Sequence, residues 1–98
     1  MSYDQKTVER VWEHGRVMPE ADPTQWRKDE CGAWIRREHY GSDKSEFAWH
    51  IVDVAPAEAH NPGNLRPLHR DNTFDPAAHR PHCHVTADSA GRANKRGG

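Results

Sequence analysis

Long apolar runs are missing from this chain, and cysteine is scarce. No stretch approaches the length of a signal-peptide core or a transmembrane helix, so the expectation is a soluble, cytoplasmic protein with no membrane partner. The two cysteines, Cys31 and Cys83, are too few and too far apart to read as a secreted disulfide framework. A charge excess of either sign is lacking too. The net charge is −1, so whole-chain electrostatics does not advertise a nucleic-acid binder. Of the 98 residues 34% are hydrophobic and 30% charged, which leaves room for one small domain with a core near the lower limit of what folds without staples.

What is present is tryptophan, four in all, and a few large aromatics can supply much of the buried area of a small fold. Charge is also unevenly distributed. Residues 1–78 carry ten Lys/Arg against fourteen Asp/Glu, whereas residues 79–98 carry four against one. That last segment, HRPHCHVTADSAGRANKRGG, has Val85 as its only large aliphatic residue and reads as a flexible basic tail. The expected division is therefore an N-terminal helix and linker over 1–20, a folded domain over 21–78 and the tail over 79–98.

Local patterns fill in the domain. YDQKTVERVWEHG places Val8, Val11 and Trp12 at i, i+3 and i+4, with Asp4 as cap and Gly15 as stop, which predicts a short amphipathic helix. DPTQW, with Asp22 as cap and Pro23 at the first position, predicts a second helix start. CGAWIRREHYG and FAWHIVDVAP read as strands around the polar turn SDKSE, a hairpin pairing about 33–37 with about 47–54. NLRPLHRDNTFD then predicts a helix from near Asn64, with Pro67 in its first turn.

The pieces WRKDECGAWIRREHYG, WHIVDVAP and NLRPLHRDNT, spanning Trp26 to Asp75, resemble the HNH endonuclease family in order and spacing. One branch of that family has a second strand reading Trp-Glu-Ile-Asp-His-Ile-x-Pro and a later segment reading Asn-Leu-x-Pro-Leu-His-x-x-Asn-Asn. The resemblance implies a small α+β domain of the ββα-metal type, a hairpin packed by helices. In such enzymes an Asp ligates a divalent metal, the adjacent His is the general base, and a loop Asn orients that base. Laid on this chain, the metal Asp falls on Val52 and the base His on Asp53, while Asn64 takes the loop position and His69 and Asn72 the helix positions.

Val52 cannot ligate a hard cation, and an aspartate is a weaker base than histidine near neutrality. The expectation is thus a nuclease-inactive member kept as a nucleic-acid-binding or structural module. One alternative is an active nuclease with Asp53, His69 and Asn72 around Mg²⁺, Mn²⁺ or Zn²⁺. Another is a zinc-held interaction module joining Cys31 and Cys83 to two histidines of His79, His82 and His84. His50 lies on the Val52 side of the strand, opposite Asp53. Trp34 and Trp49 read as core. The duplex-DNA contacts the resemblance implies are weak and sequence-independent, with Arg36, Arg37, Arg66 and Arg70 as candidates and Arg66 and Arg70 on one helical face.

Overall fold

The computed structural model describes residues 3–57, 61–89 and 91–97. It is an α+β arrangement of one helix and four two-stranded antiparallel sheets, with two short 3₁₀ turns. Helix α1, Gln5–Trp12, forms as its sequence requires. Asp4 accepts a 2.8 Å bond from the Thr7 N–H, and the apolar positions Val8, Val11 and Trp12 share one face. That helix face packs with Ile35, Tyr40, Trp49, Ile51 and Leu65. Trp49 is the centre of the cluster, its ring 5.5 Å from that of Trp12 and 4.9 Å from that of Tyr40. Burying one such ring contributes about 5 kcal/mol on area grounds.

Strands β1 (Trp26–Lys28) and β2 (Trp34–Arg36) form the first sheet, joined by the turn DECGA. Gly32 adopts φ 86° there, a conformation that favours glycine, and its N–H bonds to the Asp29 carbonyl. Strands β3 (Trp49–Asp53) and β4 (Leu65–His69) form the second sheet, running from the pair Trp49–His69 to the pair Asp53–Leu65. The third sheet pairs β5 (Thr73–Asp75) with β6 (Arg80–His82), and the fourth pairs β7 (Val85–Ala87) with β8 (Asn94–Arg96).

Helix α1 and a strand over Trp49–Asp53 agree with expectation. Other elements differ, each for a physical reason. The expected ladder between 33–37 and 47–54 does not form, because β2 pairs with β1 and β3 with β4. The two segments are nonetheless neighbours: the Arg36 N–H bonds to the Phe47 carbonyl at 3.0 Å, and the Trp49 indole N–H donates to the Arg36 carbonyl at 2.9 Å. The expected helix from Asn64 is a 3₁₀ turn, Pro62–Asn64, running into strand β4. Leu65, Pro67, Leu68 and His69 are all buried, which a strand covered on both faces allows, and Pro67 is tolerated in a two-stranded ladder. The start at Asp22 and Pro23 makes a single turn, closed by the Trp26 N–H on the Asp22 carbonyl, before β1 begins.

Residues 79–98 were expected to be a flexible tail, yet β6, β7 and β8 lie within them. Their anchoring is polar and covalent rather than apolar, which a hydrophobicity argument cannot register. The cysteines are the clearest correction: Cys31 and Cys83 are joined as a disulfide across 52 positions. Closing a loop of that size is worth about 4 kcal/mol in the chain-entropy model. Among the described residues no helix is long and apolar enough to cross a membrane.

Candidate functional site

The residues singled out for metal chemistry do not converge. Asp53 lies at one end of the β3–β4 ladder and His69 at the other, four rungs or about 13 Å along the strand. The Asp53 carboxylate closes a local turn by accepting the Ala55 N–H at 2.9 Å. Val52 sits between them, opposite Arg66. Asn64 ends the 3₁₀ turn and gives its carbonyl to the Val54 N–H at 2.9 Å.

His69 and Asn72 are fully buried and are organised by a residue the sequence reading passed over, Asp29. Its Oδ1 accepts the N–H groups of Cys31 (3.0 Å) and Ala33 (2.8 Å). Its Oδ2 accepts the His69 N–H at 2.8 Å and the Asn72 side-chain amide at 3.0 Å. Asn72 in turn donates to the Val85 carbonyl at 3.0 Å and accepts the N–H groups of His84 and Val85, both at 2.8 Å. Every hydrogen-bonding position of that amide is filled. The His69 ring is equally committed: Nε2 donates to the Glu46 carbonyl at 2.7 Å, and Nδ1 accepts the Asp71 N–H at 3.1 Å. A carbonyl only accepts and an amide N–H only donates, so the proton sits on Nε2 and no lone pair is left for a metal. His50 donates from Nε2 to the Asn72 carbonyl at 2.9 Å.

The cysteines of the zinc alternative are bonded to each other, His82 stands 3.6 Å from Asp75, and the His79 ring faces Phe74. Among the described residues no group of three or more His, Cys, Asp or Glu is placed to hold a metal ion. The donor set does not fit a divalent cation. The signal for Asp29 was present in the sequence as Asp-Glu-Cys-Gly, an Asp followed three residues later by Gly, which is a turn signature.

A second constellation is on the β1–β2 hairpin. Trp26 opposes Arg36 and Lys28 opposes Trp34, so these four side chains share one face, while Arg27 and Ile35 point to the other. On the first face the cations lie over indoles: Lys28 Nζ is 4.8 Å from the Trp34 ring, and the Arg36 guanidinium is 5.0 Å from the Trp26 ring. Arg92, from the β7–β8 connection, adds a third cation 5.3 Å from the Trp26 ring. Phe47 and Trp34 meet Trp26 edge-on at 4.8 and 6.3 Å and fix its plane. A cleft of about 360 Å³ borders this face, lined by Lys28, Trp34 and Arg92 together with Glu20 and Asp88.

Of the four arginines expected at nucleic acid, only Arg36 belongs to this face. Arg37 pairs with Glu9 at 3.2 Å, and Arg70 stands 3.7 Å from Asp71. Arg66 donates to the carbonyls of Gly63 and Leu65, and it lies in strand β4 rather than on a helix shared with Arg70. Lys28 was missed because its grouping with Trp34 depends on strand register, and Arg92, expected with Lys95 and Arg96 on a flexible basic arm, is instead placed over Trp26 by the docking of the C-terminal segment. Comparison with protein-family models, with curated proteins and with solved structures finds no match to this chain.

Proposed function

We propose that this chain is a catalytically silent, HNH-endonuclease-like module that binds the backbone of duplex DNA weakly and without sequence preference. The observation that carries this reading is the cation-over-indole array of Lys28, Arg36 and Arg92 on Trp34 and Trp26. Stacking holds a charged head in place, so less side-chain freedom is lost when a phosphate arrives. The carboxylates of Glu20 and Asp88 border the same cleft and moderate its positive field, which keeps the affinity low. Catalytic silence follows from His69 and Asn72 being consumed by internal bonds and from Asp53 standing apart.

Fluorescence anisotropy with a short duplex over a salt series is the test. Three phosphate contacts give a slope of log affinity against log salt of about −3, and Lys28→Ala, Arg36→Ala or Arg92→Ala each reduces it by about one. Absence of binding at low salt, or binding indifferent to all three substitutions, overturns the proposal. In the same samples plasmid remains uncut with Mg²⁺, Mn²⁺, Ni²⁺ or Zn²⁺, and metal-dependent nicking would refute the silent reading.

A further inference from the structure

The segment carrying β6, β7 and β8 is attached to the rest of the molecule by few apolar contacts. Val85 is its only buried apolar side chain among the described residues. Otherwise it is held by the β5–β6 ladder, by Asn72 on the backbone of His84 and Val85, by Asn94 on the backbone of Trp34 and Glu46, by Arg92 over the Trp26 ring, by the Arg96–Asp71 pair at 2.6 Å, and by the disulfide. Cys83 is exposed and Cys31 half-buried, so the bond is more open to approach from the Cys83 side. Cys31 sits within the Asp29 turn and Cys83 immediately before His84. The disulfide therefore bridges the two ends of the buried polar network that runs from Asp29 through Asn72 to Val85.

We propose that Cys31–Cys83 is a reversible thiol–disulfide latch that sets whether the β6–β8 segment is docked. A dithiol reductant supplies the two electrons. Its first thiolate attacks the sulfur of Cys83, the more exposed of the two residues, forming a mixed disulfide and expelling Cys31 as a thiolate, which takes up a proton. Its second thiol, as thiolate, then displaces the Cys83 sulfur, leaving a second protein thiol and the cyclised oxidised reductant. With the crosslink open and the core up to Asn72 still folded, the segment must close a loop of about eleven residues unaided, and its docking equilibrium falls by on the order of a hundredfold. In a reducing compartment the open state is favoured and in an oxidising one the docked state. This latch holds whether or not the hairpin face binds DNA.

Amide hydrogen exchange on the full chain, oxidised and then reduced with dithiothreitol, reads it directly. Thiol counting first shows no free thiol before reduction and two after. On reduction the amides of His84, Val85 and Trp34, which donate to Asn72 and Asn94, exchange faster by on the order of a hundredfold, the limit set by loop closure. Arg70 and Val54, bonded to Ala48 and Asn64 at the two ends of the β3–β4 sheet, keep their protection, and reoxidation restores the original pattern. Cys83→Ser shows the reduced pattern with or without reductant. Should that variant fail to fold, the wild-type comparison decides alone. Two free thiols in the air-oxidised protein, unchanged exchange on reduction, or equal loss of protection at all five amides would each overturn the latch.

Discussion

Among the described residues every buried apolar side chain except Val85 lies between Val11 and Leu68. The first region closes around Trp12, Ile35, Trp49 and Leu65, while the segment after Asn72 is joined to it mainly by two asparagine side chains, an ion pair, the Arg92 cation over Trp26 and one disulfide. The two kinds of attachment fail differently. An apolar core gives way as a unit, because each side chain packs on several others. Discrete polar and covalent ties can be removed individually, leaving the core in place.

The most damaging change should be Trp49→Ala, which empties the centre of the core at a cost of about 3–5 kcal/mol. It should lower the denaturation midpoint of the whole molecule in urea, the two regions unfolding together. Asp29→Ala comes next, at about 3–4 kcal/mol, because it strands four donors of which two lie in its own turn and two come from His69 and Asn72. It should weaken both regions, and would break the comparison if only the C-terminal segment responded. Asn94→Ala should cost about 2 kcal/mol by leaving the Trp34 N–H and C=O without partners. Faster exchange at Trp34 with an unchanged urea midpoint for the core would sharpen the distinction.

The smallest effect concerns acid. The Arg96 guanidinium bonded to Asp71 holds that carboxyl below its usual range, and the arginine is raised by the same contact. A carboxyl depressed in the folded state lends stability that is complete above its unfolded value, about 3.9, and is lost as pH falls through the lower folded value. Arg96 is largely exposed and Asp71 half-buried, so solvent screens the pair and the contribution is slight. Arg96→Ala should remove this acid dependence below about pH 3.9 and otherwise leave stability nearly unchanged.

Much of the apolar region was legible in the sequence. Asp4, Val8, Val11 and Trp12 announced α1, and the alternation of Trp49 and Ile51 against His50 and Val52 announced β3. Pairing was not legible, because the strand beside β3 is selected by the fit of Leu65, Pro67 and His69 on the same face, and Pro67 reads equally well in a first helical turn. The C-terminal segment was hidden for another reason. Its anchors are asparagines, residues whose usual signal is a loop, and two cysteines whose separation gives no hint of proximity. At the candidate site, His69 and Asn72 were singled out as metal-site positions, but their partner Asp29 is 40 and 43 positions away. That distance conceals a structural use and invites a catalytic one.

Strand β2 has an outward side that β1 does not cover. There the Asn94 amide faces the N–H and C=O of Trp34 as a neighbouring strand residue would. The Phe47 carbonyl and the Trp49 indole do the same for Arg36. An uncovered strand margin is a template on which a second chain can add, the first step of sheet-to-sheet aggregation. Here a single amide side chain works as a surrogate strand that blocks that template at Trp34. Undocking the segment that carries Asn94 would uncover the Trp34 groups, so the reduced protein should self-associate at concentrations where the oxidised one stays monomeric.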